Sequence, residues 1–336
     1  MRTISQLVAR AREGDPRAVA RLISQVEDAS PALREVMSLL TPHTGKAAVI
    51  GVTGSPGVGK STTTSALVSA FRSDRRRVGV LAVDPSSPFT GGALLGDRVR
   101  MQEHATDPGV YIRSMATRGH LGGLAWATPQ ALRVLDAAGC DVVIVETVGV
   151  GQSEVEVAAL ADTTLVLLAP GMGDGIQAAK AGILEVGDVF VVNKADRDGA
   201  DQLVRDLRST VRLAERGPGE WRQPIVKTVA VRGEGLGEVL EAVDKHRAWL
   251  ERSGELDRGR RRRFRDEIEA IALTALRHRF DDLHGDARLD TLAERVLSGE
   301  IDPYAAADQI VAALDTGRRG GETDRPLSGT TKIADV

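Results

Sequence analysis

A glycine-rich segment, residues 54–61, has the residue types and spacing of a polyphosphate-binding loop. It reads Gly54-x-x-x-x-Gly59-Lys60-Ser61 and directly follows the short apolar run 49–52. Glycine has no Cβ atom, so backbone N–H groups can converge on phosphate oxygens, and the positive end of the following helix dipole points at the same anion. Lys60 supplies a mobile charge for the β- and γ-phosphates, and Ser61 offers a hydroxyl to Mg²⁺. The pattern predicts nucleoside-triphosphate binding. The predicted contact residues in this loop are Gly54, Ser55, Pro56, Gly57, Val58, Gly59, Lys60, Ser61 and Thr62.

A second motif, Asn193-Lys194-Ala195-Asp196, predicts which base is bound. It follows the apolar run 189–192, and ligands gather beyond the carboxyl ends of parallel strands. An ionised aspartate only accepts hydrogen bonds, and guanine presents two adjacent donors, N1–H and the N2 amine, on an edge where adenine has none. Asp196 therefore fits guanine and would stay buried and unpaired beside adenine. We expect Lys194 to lie over the base plane and Asn193 to brace the phosphate loop.

The loop after the last predicted strand should complete the recognition of the base. It reads Val229-Ala230-Val231, where guanine-binding loops usually have a Ser-Ala-Lys-like sequence. We expect this loop to contact the base and to bind guanine O6 through a backbone N–H group, with Ala230 as the candidate by position.

Two carboxylates follow apolar runs and are candidates for the metal. Asp84 follows the run 78–83 and can hold Mg²⁺ through water, orient an attacking water, or cap the turn that follows. Glu146 follows the run 142–145, so a buried strand would deliver its carboxylate to a metal. Because glutamate is one methylene longer than aspartate, direct and water-mediated ligation both stay open. Gly149 can offer its N–H to the γ-phosphate.

Two further loops combine glycines with polar side chains. The segment 91–98 contains four glycines or small residues and the acid Asp97, and it is suited to close on the γ-phosphate. The segment 169–180, with Gln177 and Lys180 near its end, reads either as a second nucleotide-sensing loop or as a plain connection.

From residue 46 onward, short apolar runs alternate with helical patterns, which is typical of a parallel sheet covered on both faces. The segments 3–42 and 236–315 predict helices instead. The sequence therefore predicts an α/β fold with a mostly parallel central sheet, flanked by N- and C-terminal helical extensions. The predicted strands are 47–53, 78–83, 110–112, 142–146, 164–168, 189–192 and 225–229.

The same patterns predict four segments. Residues 1–44 form an N-terminal helical extension, 45–252 the nucleotide-binding domain, 253–315 a C-terminal helical arm, and 316–336 a disordered tail. We interpret the arginine-rich run 260–265 as a solvated, ion-paired helix start rather than a nucleic-acid surface.

Composition limits the possible partners. Among 336 residues, 44 basic and 47 acidic side chains leave a formal net charge of −3, which gives no electrostatic reason to expect nucleic acid or a membrane as the main partner. The single cysteine, Cys140, permits neither an intramolecular disulfide nor a cysteine metal cluster. No run approaches the roughly 20 apolar residues of a membrane span. The N-terminus lacks the apolar core of a signal peptide, so we expect a cytoplasmic protein.

Five motifs make the chain resemble the MeaB/ArgK family of P-loop GTPases, relatives of the human methylmalonic aciduria type A protein. They are G-S-P-G-V-G-K-S-T at 54–62, V-D-P-S-S-P at 83–88, G-D-R-V-R-M at 96–101, E-T-V-G-V-G-Q-S-E at 146–154 and N-K-A-D at 193–196. The first and last alone indicate a GTPase, whereas the middle three are specific to this family, in which Glu146 is the normal residue. The resemblance covers roughly residues 45 to 300.

The resemblance implies a P-loop NTPase fold and a GTPase that acts as a chaperone of adenosylcobalamin-dependent methylmalonyl-CoA mutase. Such a protein gates cofactor loading and protects the mutase. The resemblance also implies a homodimer formed through the C-terminal arm. A second function stays open, a P-loop kinase that phosphorylates a small molecule or a transport protein, although the sequence contains no recognisable acceptor pocket or base.

The resemblance also assigns residues. It implies that Asp84, Asp97 and Glu146 lie in the metal and switch regions, and that Gln177 and Lys180 belong to a third switch loop that contacts the mutase. The predicted catalytic residues are Lys60, Asp97 and Glu146. Ser61, Asp84 and Glu146 are the predicted metal-binding residues.

Overall fold

The computed structural model describes residues 3–28, 30–84, 101–116, 127–147, 153–171, 184–213, 217, 219–281 and 287–316. The chain divides into two compact units, Met1–Arg263 and Phe264–Val336. Within the described ranges, no helix has both the length and the apolar character that crossing a membrane requires.

The first unit is built on one parallel sheet. Its strands are β1 Ala48–Thr53, β2 Val78–Asp84, β3 Val110–Ala116, β4 Val142–Thr147, β5 Thr163–Leu168, β6 Val189–Val192 and β7 Ile225–Lys227. They pair in the order β3-β2-β4-β1-β5-β6-β7, and every pairing is parallel. The predicted α/β fold with a central parallel sheet is confirmed. Because β1 lies between β4 and β5, the loop after Thr53 emerges near the middle of the carboxyl edge of the sheet.

Helices surround this sheet and continue beyond it. Those before the sheet are α1 Ile4–Arg12, α2 Pro16–Glu27 and α3 Leu33–Leu40. Those between and after the strands are α4 Lys60–Ser73, α5 Thr128–Ala137, α6 Ser153–Leu160, α7 Ala200–Leu213 and α8 Leu236–Ser253. The last three are α9 Glu255–Asp281, α10 Ala287–Leu297 and α11 Pro303–Thr316. Short helical turns lie at Thr41–His43, Gln102–His104, Leu184–Val186 and Ala230–Arg232.

Both faces of the sheet are covered. Every residue of β4 and β5 is buried, as strands with helices on both sides require. On one face, α4 and α8 pack Phe71 and Val239 against the strands. On the other face, α5 packs Leu135 against the sheet together with Leu22 of α2. Helices α6 and α7 cover the rest of that second face.

The first two N-terminal helices, α1 and α2, begin where the side chain of a polar residue accepts from free backbone N–H groups. Asp15 accepts from the N–H groups of Arg17 at 2.9 Å and Ala18 at 3.3 Å, which caps α2 as its Asp-Pro start predicts. The similar pair Ser30-Pro31 does not start α3 directly. The Ser30 hydroxyl accepts from Ala32 N at 3.3 Å, and helix α3 begins only at Leu33.

The arginine-rich run is anchored to the sheet, and the expectation of a solvated helix start was wrong for two of its residues. Arg260 and Arg263, near the start of α9, both pair with Asp162, which precedes β5 and is 6% exposed. Arg260 also donates to Ala47 O at 3.0 Å, and Arg263 donates to Ala161 O at 2.8 Å. The acid that pairs with Arg260 and Arg263 therefore directly precedes strand β5 and does not come from α9 itself.

The Asp162 carboxylate is stabilised in its charged form by these arginines. Burial alone would raise the pKa of Asp162, but the hydrogen bond from Arg260 and the charges of Arg263 and Arg260 outweigh burial and lower the pKa. The ion pairs therefore stabilise the fold above the ordinary pKa of an aspartate. Their contribution is lost as the pH falls through the lowered value.

The second unit contains the remainder of α9 together with α10 and α11. Arg295 of α10 pairs with Glu300 at 2.8 Å and with Gln309 of α11 at 3.2 Å, and Ile310 is buried. On α9, by contrast, several large apolar side chains are about half exposed or more: Phe264, Ile268, Ile271, Leu273 and Leu276.

Replacing Asp162 should destabilise the first unit strongly. Asp162→Ala leaves two partly buried guanidinium groups without their carboxylate, so we expect the free energy of unfolding to fall by about 3–5 kcal/mol. Glu251→Ala removes an exposed pair with Arg247 on α8, where 3.1 Å separates the two side chains, and should cost less than about 0.5 kcal/mol. Urea unfolding at neutral pH measures both changes. Equal losses would contradict the anchoring role of Asp162.

Candidate nucleotide-binding site

The turn between β1 and α4 contains the predicted phosphate loop, and its backbone requires glycine. Gly54, Gly57 and Gly59 have φ angles of 142°, 81° and 98°, which L side chains rarely adopt. A Cβ atom on Gly54 would lie 2.3 Å from Leu167 O, and one on Gly59 would lie 2.4 Å from Asn193 Nδ2. Conformation and space therefore both exclude other residues from positions 54 and 59.

Lys60 begins α4 and is held against the loop. Its Nζ donates to Gly54 O at 2.7 Å and to Ser55 O at 3.1 Å, and the side chain is buried. The ammonium group thus lies beside the N-terminus of α4, where the free N–H groups and the helix dipole favour an anion.

Ser61 and Glu146 form a buried pair of oxygens next to this loop. Strands β1 and β4 pair with Val52 opposite Glu146, which brings the glutamate beside the start of α4. The Ser61 hydroxyl donates to Glu146 Oε1 at 2.7 Å, and both side chains are buried. Hydroxyl and carboxylate oxygens are the ligands that Mg²⁺ prefers.

The Asn193 side chain connects the phosphate loop to the loop after β7. Its Nδ2 donates to Val58 O at 2.8 Å. Its Oδ1 accepts from Ala230 N at 3.1 Å and from Thr228 Oγ1 at 3.2 Å. The side chain is 3% exposed, so all of these bonds are made away from water.

Lys194 and Asp196 lie on the exposed side of the same turn. Lys194 has a φ angle of 57° and its Nζ donates to Gly57 O at 2.6 Å, so its methylene chain spans from this turn to the phosphate loop. Asp196 is 36% exposed and its Oδ2 accepts from Arg232 Nη2 at 3.3 Å. In the neighbouring loop, Val229 is buried and Val231 is 79% exposed.

The described structure thus brings together the predicted residues of four segments: 54–62, Glu146, 193–196 and 229–231. Asp84 ends β2, but its side chain falls outside the described part of the chain. The remaining predicted site residues also lie outside the described residues: Asp97, Gly149, Gln177 and Lys180.

Two residues of this site were missed by sequence reasoning. Thr228 supplies a hydroxyl to the Asn193 carbonyl oxygen, and Arg232 supplies a guanidinium to Asp196. The signal for Thr228 was available, because a buried asparagine needs donors for its oxygen as well as acceptors for its amide. No comparable signal marked Arg232, since an arginine in a glycine-rich turn is ordinarily a solvated side chain.

The parallel sheet, the glycine-dependent loop and the lysine and serine that follow it define a P-loop NTPase. The family model described as "Methylmalonyl Co-A mutase-associated GTPase MeaB" matches residues 19–283. The chain belongs to this family, as its motifs predicted, and it is a GTPase.

Similar proteins agree with this assignment. A putative GTPase of Pyrococcus abyssi is 48% identical over 313 residues, covering 93% of this chain and 97% of the relative. The mouse "Methylmalonic aciduria type A homolog, mitochondrial" is 35% identical over 269 residues, covering 79% of this chain and 65% of that protein. A crystal structure of a "LAO/AO transport system kinase" is 27% identical with a TM-score of 0.68, covering 93% of this chain and 98% of that chain.

Adding a methyl group at Gly59 should weaken nucleotide binding. In Gly59→Ala the new Cβ must displace the Asn193 amide, so we expect GTP binding to weaken at least about tenfold, which corresponds to 1.4 kcal/mol. Gly45→Ala is the matched control, because Gly45 has a similar φ of 96° but no atom within 4 Å of an added Cβ. Calorimetric titration with GTP measures both. Equal affinities in the two variants would contradict the steric role of Gly59.

Proposed function

We propose that GTP lies along the carboxyl edge of the sheet, with its phosphates in the loop 54–62 and its base between 193–196 and 229–231. The observation that carries this proposal is the pair of contacts made by Asn193, to Val58 O and to Ala230 N. One buried side chain fixes the separation of a loop suited to phosphates from a loop suited to a base. A ligand that fills both must carry a ring and a polyphosphate, as GTP does.

Asp196 would select guanine within this site. Its two oxygens would accept from N1–H and the N2 amine of guanine, whereas adenine offers neither of these donors. The Ala230 N–H would bind guanine O6, sharing a hydrogen that it now donates to Asn193 Oδ1 at 3.1 Å. The Lys194 chain would cover one face of the base, with Val229 and Val231 flanking it.

The residues present fit a magnesium ion. Ser61 Oγ and Glu146 Oε1 are buried oxygens 2.7 Å apart beside the phosphate loop, and Mg²⁺ takes such ligands together with water and phosphate. We assign Ser61 as a ligand, with Glu146 and Asp84 binding directly or through water. The bound ion would neutralise charge on the β- and γ-phosphates. Lys60, Glu146 and Asp97 are the proposed catalytic residues, and Lys60 would bring its ammonium to the same phosphates.

The output of GTP binding and hydrolysis would be control of adenosylcobalamin-dependent methylmalonyl-CoA mutase, both its cofactor loading and its protection. The family description names that enzyme, and this supports the proposal. A ligand shifts a conformational equilibrium only through different affinities for its two states, so the γ-phosphate must make contacts that GDP lacks. Gly149 is the proposed γ-phosphate contact, and Gln177 and Lys180 the contacts with the mutase.

The protein that carries out this role would be a cytoplasmic homodimer with a C-terminal arm over 253–315. The exposed apolar residues of α9, among them Phe264 and Ile268, support the homodimer because a second chain would remove them from water. In this proposal the arm joins two copies, and the nucleotide domain at 45–252 meets the mutase.

Nucleotide-dependent binding of purified mutase tests this function. We expect the affinity of the full chain for methylmalonyl-CoA mutase to differ at least about fivefold between a non-hydrolysable GTP analogue and GDP, since allosteric coupling is ordinarily 1–3 kcal/mol. The Lys60→Ala variant should bind the mutase with the same affinity in the presence of the GTP analogue and of GDP. Equal affinities for the unmodified chain would contradict the proposal, and transfer of labelled γ-phosphate to an acceptor other than water would favour the kinase.

A further inference from the structure

An arginine lies beside the carboxylate that is proposed to select the base. Arg232 Nη2 donates to Asp196 Oδ2 at 3.3 Å, and Arg232 Nη1 lies 3.8 Å from Glu234 Oε1. The arginine side chain is 58% exposed and the aspartate 36%. An ion pair at such exposure contributes little to the stability of the fold. The consequence of this contact is therefore expected at the ligand site rather than in the stability of the fold.

The backbone fixes the point from which Arg232 reaches Asp196. Ala195 N donates to Thr228 O at 3.0 Å, which ties the Asn-Lys-Ala-Asp turn to the loop after β7. Within that loop, Arg232 N donates to Val229 O at 2.9 Å and closes the short turn Ala230–Arg232. The Cα atoms of Arg232 and Asp196 are therefore held at a set separation.

Arg232 is also the residue of this loop that has a donor to give to Asp196. Val229, Ala230 and Val231 carry no polar atoms in their side chains. The Thr228 hydroxyl is committed to Asn193 Oδ1 at 3.2 Å. Among the side chains of residues 228–232, the Arg232 guanidinium is therefore the group that can hold the Asp196 carboxylate.

We propose that Arg232 is a positioning residue for guanine recognition, a role that rests on the proposed guanine site. The terminal torsion of an aspartate is broad, so an unheld carboxylate turns freely and presents one oxygen as readily as two. A carboxylate has about four lone-pair directions. Arg232 occupies one direction on Oδ2, and the others stay available for the N1–H and N2 donors of the base.

The positioning role of Arg232 can be tested by comparing the affinities for guanine and hypoxanthine nucleotides. Hypoxanthine keeps N1–H and O6 but lacks the N2 amine, so GDP and IDP differ at this site by one hydrogen bond to a carboxylate. A hydrogen bond to a charged group is stronger than one between neutral groups, so its loss is measurable as a change in affinity. A carboxylate that is held in the base plane gains this bond, and one that turns freely gains only part of it. Loss of Arg232 should therefore weaken GDP binding more than IDP binding.

Calorimetric titration of the full chain with GDP, IDP and ADP tests the proposal. We expect Arg232→Ala to weaken GDP binding about tenfold and IDP binding less, so that the GDP-to-IDP affinity ratio falls at least about threefold. Arg232→Lys keeps a charged donor and should recover most of both effects. The matched control is Arg258→Ala, because Arg258 is also 58% exposed and pairs with Glu255 at 2.8 Å on α9. It should leave both affinities unchanged.

Different results would refute either the positioning role of Arg232 or the proposed guanine site. An unchanged GDP-to-IDP affinity ratio in Arg232→Ala would refute the positioning role. Tighter GDP binding in that variant would also refute it, because the arginine would then compete with the base for Asp196. A wild-type chain that binds ADP as well as GDP would instead refute the proposed guanine site itself. Similar losses in Arg258→Ala would refute the positioning role as well, since they would show a general effect of removing a surface charge.

Discussion

One buried amide, that of Asn193, is the contact on which the geometry of the nucleotide site depends. It satisfies the Val58 carbonyl on one side and accepts from Ala230 N and Thr228 Oγ1 on the other. Each buried polar group left without a partner costs about 1–3 kcal/mol, so the three partners and the amide hold one another in place. The requirement for glycine at position 59 follows directly, because any larger residue would occupy the space of this amide.

The central strand is fixed by carboxylates at the end opposite this site. Asp136 accepts from Ala47 N at 3.0 Å and from Lys46 N at 3.2 Å, and Asp162 accepts from Val49 N at 3.1 Å. The same Asp162 binds the arginines of α9. Strand β1 is therefore held at its amino end by side chains and at its sides by β4 and β5. The phosphate loop starts from a rigid element, which is what a preorganised anion site requires.

The sequence predicts much of this because the fold and the loops carry strong local signals. Apolar runs such as 142–145 and 189–192 can be satisfied only inside a covered sheet, and the phosphate-loop glycines are needed for conformation as well as for space. Contacts between distant segments carry no such signal. The pairing of Asp162 with Arg260, 98 residues apart, and of Arg232 with Asp196 depends on which loops the strand order brings together. The same lack of signal explains why Arg260 and Arg263 were expected in solvent.

The nucleotide preference of Asp196→Asn tests most directly whether a single carboxylate reads the base at this edge of the sheet. An asparagine can donate to xanthine O2 and accept from its N1–H, whereas it meets the N2 amine of guanine with a donor against a donor. We predict that the variant binds XDP more tightly than GDP in a calorimetric titration, reversing the preference of the unmodified chain. A variant that still prefers GDP to XDP would contradict the role of Asp196.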